Sequence, residues 1–136
     1  MVFTSIVGDL FHVGHLSLLR QAKMLGDYLI VGVLSDTVVA GYKRKPIILE
    51  LERLEVVRAC RYVDSVFLQT ALEPDHNFLQ EKVDIIIHGD DWKDNFPGAV
   101  YMRSIGRKAI NLPYYEGQST SKIIEEIGER LTRGQK

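Results

Sequence analysis

The sequence predicts an α/β protein: a Rossmann-like, doubly wound parallel sheet with helices on both faces, in a single domain. Three observations predict it. Short apolar runs alternate with helical patterns along the 136 residues, an order that calls for parallel strands joined by right-handed crossovers. Two of the runs, Tyr28–Leu34 ("YLIVGVL") and Val83–His88 ("VDIIIH"), are nearly uninterrupted apolar stretches, as strands covered on both faces are. The residues with chemical potential all follow strands. His12 and His15 follow the first, Lys43 the second, Gly89, Asp90 and Asp91 the "VDIIIH" strand, and Ser119, Thr120 and Ser121 the last. In such sheets ligands bind at the carboxyl ends of the strands, near the switch point in strand order.

Element by element, Val2–Val7 reads as a short buried strand. Leu16–Leu25 reads as a helix with Leu16, Leu19 and Ala22 on one face, closed by Gly26-Asp27. After Tyr28–Leu34, Ser35 and Asp36 offer caps for a short helix through Ala40. Gly41–Pro46 is a basic loop. Leu49–Ala59 carries Leu51, Leu54 and Val57 or Arg58 at helical spacing, and Ser65–Leu68 is a short strand. A helix near Asn77–Glu81 precedes the "VDIIIH" strand. Gly89–Gly98 is an Asp-rich loop, Val100–Gly106 a helix and Ala109–Leu112 the last strand. Ser121–Leu131 is a helix with the apolar stripe Ile123, Ile124, Ile127 and Leu131. The domain is expected over residues 1–132, with a polar tail over 133–136 that could lead into a further domain.

A chain of this length buries roughly two thirds of its unfolded surface, enough for a core without covalent staples. Its formal net charge of -1 argues against a general polyanion binder, so no nucleic-acid partner is expected, although Lys43, Arg44 and Lys45 form a local basic cluster. The single cysteine, Cys60, cannot form an internal disulfide, which points to a reducing compartment, and cytoplasm is the expected location. No apolar run approaches the ~20 residues of a membrane span. Asp9 and His12 interrupt the only N-terminal apolar stretch, so no secretory signal is read.

Each motif has an ordinary reading beside the chemical one. His12 and His15, three apart, could be a helix cap and a structural histidine. As metal ligands they would need partners, and only His76 and His88 remain. At a helix N-terminus their imidazole N–H groups could instead clamp phosphate oxygens, with Gly14 letting the phosphate approach the backbone. "GYKRKP" could be a solvated loop and "HGDDW" a turn with capping aspartates. "GQSTSKIIEEI" could be a helix start, although three consecutive hydroxyl residues exceed what one cap requires and would suit a second phosphate cradle.

Together and in this order, "GDLFHVGH", "GDYLIVGVLSD", "YKRKP", "ERLEVVRACRYVD", "IIIHGDDW" and "YYEGQSTSKI" resemble the small cytidylyltransferases of the nucleotidylyltransferase superfamily. That group is marked by His-x-Gly-His after the first strand and a late Arg-Thr-x-Gly-Ile-Ser-Thr-Ser/Thr. Similar blocks occur in phosphoethanolamine, phosphocholine and glycerol-3-phosphate cytidylyltransferases. The likeness is strongest to cytidylyltransferase domains fused to phosphoenolpyruvate mutase in phosphonate biosynthesis, including the fosfomycin pathway. There are two departures. Ile6-Val7-Gly8-Asp9 stands where the family has Gly-Thr-Phe-Asp. Tyr114-Tyr115 replaces Arg-Thr, with Gln118 in place of the following Ile. The lost arginine is one expected to meet a phosphate, and a phenol does not replace its charge or its fork of donors.

The resemblance implies transfer of CMP from CTP to a small acceptor, with His12 and His15 on the triphosphate and Lys43 on a phosphate of CTP or acceptor. It implies Ser119 and Thr120 at the β/γ-phosphates, and Val7, Gly8, Asp9, Gly14 and Ser121 along the nucleotide. Gly89, Asp90 and Asp91 border the cytidine, and Arg61 lies near the site. The cofactor is Mg²⁺, held mainly by CTP phosphates rather than by protein ligands. The expected acceptor is 2-hydroxyethylphosphonate, contacted by Tyr114 and Tyr115; the alternatives are a phosphoethanolamine or glycerol-3-phosphate acceptor, or ATP in place of CTP. A non-catalytic nucleotide-binding domain is a reading of a different class. The partners expected are CTP, the acceptor and a second copy in a homodimer, without a membrane.

Overall fold

The computed structural model describes residues 1–113 and 115–134, and for residues 90 and 91 the backbone alone. Five strands form one sheet in the order β3-β2-β1-β4-β5, every adjacent pair parallel. They are β1 (Val2–Ile6), β2 (Leu29–Leu34), β3 (Ser65–Gln69), β4 (Ile85–Gly89) and β5 (Lys108–Leu112). The helices are α1 (Val13–Lys23), α2 (Asp36–Ala40), α3 (Glu50–Arg58), α4 (His76–Lys82), α5 (Ala99–Ser104) and α6 (Thr120–Thr132). Asp90–Asn95, read as loop from the sequence, forms a 3₁₀ turn kinked at Lys93, whose φ is 55°.

β1 and β2 are buried along their whole length, as central parallel strands are. Their side chains alternate between two cores. Val2, Ile6, Val31, Val33 and Ile87 pack with Leu19 and Ala22 of α1 and Val57 of α3. Phe3, Ile30 and Ile86 pack with Leu79 of α4 and Ala99 and Met102 of α5 on the other face. A period of two feeding two cores is what a sheet covered on both sides requires.

Three expectations change. The first helix begins at Val13, because His12 caps it, and not at Leu16. In α3 the buried positions are Arg53 and Val57, while Leu51 is 64% exposed. The stripe of α6 is mostly uncovered: none of its residues is buried, and Ile127 and Leu131 stand in solvent. The chain runs outward from β1 to β3, then returns to β4 on β1's other side. The carboxyl ends of β1 and β4 therefore flank the point where the winding reverses, and a crevice is expected there.

Candidate active site

A cleft of about 650 Å³ opens at that point, lined by the turn after β1, the end of β4, the loop after α2 and the start of α6. Its size is that of a small-molecule site. His12, Gly14, His15, Lys43, Gly89, Ser119, Thr120 and Ser121, drawn from four segments of the chain, all line it.

The two histidines perform two tasks at once. His12 Nδ1 accepts the Gly14 N–H at 3.0 Å, and His15 Nδ1 accepts the His12 N–H at 3.0 Å. This is a reciprocal capping box built from imidazoles, where Ser/Thr and Glu/Gln are usual. With both Nδ1 atoms accepting, each neutral ring carries its proton on Nε2. His12 Nε2–H then donates to Thr120 Oγ1 at 3.3 Å, and that hydroxyl donates to the Asp9 carbonyl at 2.7 Å. Burial biases both imidazoles toward the neutral form. Burial lowers the His12 pKa, and it lowers that of His15 to about 4, with the charges of His12 and Lys43 adding to the effect against an opposing pull from Asp9. Gly14 is required at this turn: a Cβ would lie 2.8 Å from His12 Cε1 and 3.2 Å from the Gln118 carbonyl.

Opposite the histidines stands the N-terminus of α6. Ser119 caps it by accepting the Lys122 N–H at 3.1 Å. No hydrogen-bond acceptor is present for the Thr120 and Ser121 N–H groups among the described residues. Such a helix end favours anionic oxygen. Lys122 Nζ donates to the Glu116 carbonyl at 2.6 Å and also lines the cleft.

Several expected residues turn out to be engaged with the protein. The Asp9 carboxylate, 4% exposed, accepts the Ile47 and Ile48 N–H groups at 2.9 Å each, so it fixes the root of the basic loop. The Val7 carbonyl accepts from Arg53 Nη1 at 2.6 Å. Gly8, at φ 72°, sits against Val57 of α3 and outside the cleft lining. Arg61 is also outside it, stacked on its neighbour Tyr62 and bonded to that phenol at 3.0 Å. The physical reason is direction: α3 has by then carried the chain away from the carboxyl ends of the strands. Tyr115 does line the cleft, with its ring over Gly117. Tyr114 lies outside the described residues, as do the side chains of Asp90 and Asp91.

The sequence reading missed Arg53. This residue, 1% exposed, donates to the carbonyls of Ile48, Val7 and Leu34 at 2.6–2.8 Å and pairs with Asp36 at 2.7 Å. It ties the ends of β1 and β2 to the basic loop. His88 and Lys122 also line the cleft; their only signal in sequence is position, at the end of a strand and in the first turn of a helix. No cluster of three or more His, Cys, Asp or Glu suited to a metal occurs among the described residues. No helix there is long and apolar enough to cross a membrane.

The chain is 37% identical over 126 residues to glycerol-3-phosphate cytidylyltransferase of Bacillus subtilis, covering 88% of this chain and 90% of that one. It is 44% identical over 126 residues to ethanolamine-phosphate cytidylyltransferase of Dictyostelium discoideum, covering 88% of this chain and 35% of that protein. It is 35% identical over 135 residues to the bifunctional protein HldE of Trichlorobacter lovleyi, covering 97% of this chain and 28% of that protein. The chain thus spans about a third or less of these two larger relatives. The solved structure of a lipopolysaccharide core biosynthesis protein from Thermoplasma volcanium superposes with a TM-score of 0.72 at 28% identity, over 85% of this chain and 97% of that one. The cytidylyltransferase-like family model matches residues 9–126, from the carboxylate that anchors the basic loop to the middle of α6, and the chain belongs to that family.

Proposed function

We propose that the protein transfers a cytidylyl group from CTP to a small phosphate-bearing acceptor. An acceptor oxygen attacks the α-phosphorus, the bond from that phosphorus to the bridging oxygen of the β-phosphate breaks, and pyrophosphate leaves. An ionised acceptor oxygen requires no general base, so the protein's contribution is positioning and stabilisation of charge. One observation carries this reading: two neutral imidazoles fixed as Nε2–H donors share a cleft with the unpartnered N–H groups that open α6. Such a pair of walls suits a polyphosphate lying between them, with Lys43 adding charge from the third side.

Mg²⁺ fits as an ion carried by the triphosphate, where it neutralises phosphate oxygens. Among the described residues the one buried carboxylate lining the cleft, Asp9, is already committed to two backbone N–H groups. The protein's own residues act on the oxygens the ion leaves free.

The relatives favour a phosphate monoester acceptor of the glycerol-3-phosphate or ethanolamine-phosphate kind. The 2-hydroxyethylphosphonate reading keeps one structural argument. Tyr115, in a motif where the family has Arg-Thr, places a phenol on the cleft wall, able to donate to a hydroxyl or a phosphonate oxygen. Pyrophosphate release should be measured with CTP and ATP against glycerol 3-phosphate, phosphoethanolamine, phosphocholine and 2-hydroxyethylphosphonate. CTP with one of the phosphate monoesters is expected to give the highest kcat/KM. A tenfold advantage for the phosphonate selects the second reading. Faster turnover with ATP replaces the nucleotide assignment, and no release with any pair leaves a binding domain.

A further inference from the structure

The geometry points to Arg44 as the residue that grips the leaving pyrophosphate, closing on the β/γ-phosphates from the loop opposite α6. The inference rests on the proposed nucleotidyl transfer and assigns a part of it to a residue of the "YKRKP" block to which the resemblance gives no role.

The loop after α2 crosses one wall of the cleft, and Tyr42, Lys43, Arg44 and Pro46 line it there. Its far end is rigid. Asp9 holds the N–H groups of Ile47 and Ile48, and Arg53 holds the Ile48 carbonyl at 2.8 Å. From that root Arg44 spans the cleft, and its Nη1 donates to Ser121 Oγ at 3.3 Å, 77 residues away in sequence. This is a long bond to a neutral hydroxyl, and among the described residues it is the only one the exposed guanidinium makes and no carboxylate pairs with it. Ser121 lies in the first turn of α6, beside the unpartnered N–H groups of Thr120 and Ser121.

A guanidinium whose fork is largely unused, poised over N–H groups that lack an acceptor, is arranged for an anion with several oxygens. Phosphate oxygens would replace the serine hydroxyl on Arg44 while the α6 N–H groups hold the same group from the other side. The other cations of the cleft are differently placed. Lys122 is bonded to the Glu116 carbonyl, and Lys43 lies close enough to His15 to lower its pKa. Arg44 therefore supplies a fork of donors where the late motif of this chain has tyrosines instead of Arg-Thr. As the bond from the α-phosphorus breaks, negative charge grows on the departing pyrophosphate, and a bidentate cation there stabilises the transition state.

The test compares wild type with Arg44→Ala, Arg44→Lys and Lys45→Ala, a neighbouring loop cation outside the cleft lining. Calorimetry measures CTP and CMP binding, and pyrophosphate release measures turnover. Arg44→Ala is expected to weaken CTP about 10- to 100-fold, the scale of a lost hydrogen bond to a charged group. CMP, lacking the β/γ-phosphates, should bind as before, and the thermal midpoint should not move, because Arg44 is exposed. Arg44→Lys should recover only part of the loss, and Lys45→Ala should match wild type. Wild-type CTP affinity and turnover in Arg44→Ala would overturn the assignment, as would equal losses for CTP and CMP, or a loss in Lys45→Ala as large as that in Arg44→Ala. If wild type itself neither binds CTP nor releases pyrophosphate, the proposed reaction fails and this inference fails with it.

Discussion

His12 and His15 cap the same helix turn through each other: Nδ1 of His15 accepts the His12 N–H at 3.0 Å, and the two ring centroids lie 4.0 Å apart. Serine and glutamate could close the same box. Imidazole differs in having a second nitrogen on the far side of the ring. Capping consumes Nδ1 and leaves Nε2 as the protonated nitrogen of each neutral ring, and both residues line the cleft. One pair of side chains thus starts a helix and lines the cleft.

That division of labour predicts separable effects at position 12. Asparagine is a strong N-cap but lacks the outer nitrogen. His12→Asn should keep the thermal midpoint within a few degrees of wild type and lower kcat by about 10²–10⁴-fold, as expected when a positioned donor is lost. Near-normal turnover in a folded variant would remove His12 from the chemistry.

At position 15 the signature is pH dependence. The folded pKa, about 4, lies below the unfolded value near 6.5. Between these values the unfolded chain binds more protons, so stability falls as pH drops from about 6.5 to 4 and is level above that window. The full effect is on the order of 3 kcal/mol. Glutamine suits the N3 position of a capping box and does not titrate. Urea unfolding at pH 7.5 and pH 4.5 should therefore show a smaller loss for His15→Gln than for wild type, and equal losses would contradict the buried neutral imidazole.

Arg53→Met should be strongly destabilising. It leaves Asp36 without its cation and three carbonyls without a donor at a site 1% exposed. Breaking a buried pair from one side costs about 3–5 kcal/mol, read as a lower denaturation midpoint. Lysine keeps the charge without the planar fork, so Arg53→Lys should recover less than half of the loss.

Gly14→Ala tests packing against propensity. Alanine gains up to about 1 kcal/mol over glycine inside a helix, yet the added Cβ would meet the His12 ring at 2.8 Å and the Gln118 carbonyl at 3.2 Å. The expected result is a thermal midpoint no higher than wild type and kcat at least about tenfold lower, because the His12 ring must move. A stabilised variant with normal turnover would show that the ring yields without consequence.

Much of the architecture was legible in the residues themselves. Apolar runs such as "YLIVGVL" read as strands covered on both faces, and their alternation with helices calls for a parallel sheet. The strand ends then bring His12, His15, Gly89 and Ser119–Ser121 to one edge. This follows from chain direction and needs no knowledge of side-chain contacts.

Tertiary structure decided what periodicity and motif spacing do not encode. Arg53 occupies a core position in α3 because carbonyls from β1, β2 and the loop before α3 converge there, and a hydrophobic pattern cannot register a buried charge satisfied by distant backbone. Asp9 became the anchor of the basic loop because Ile47 and Ile48 fold back onto it. Arg61 left the expected site because α3 leads away from it. Arg44 reaches Ser121 across 77 residues of sequence. Hydrophobic pattern fixes which face of an element is buried, since burial is nondirectional and follows local period. The partner of each polar group depends on where its hydrogen-bonding directions meet another segment, and that is set only once the chain has closed on itself.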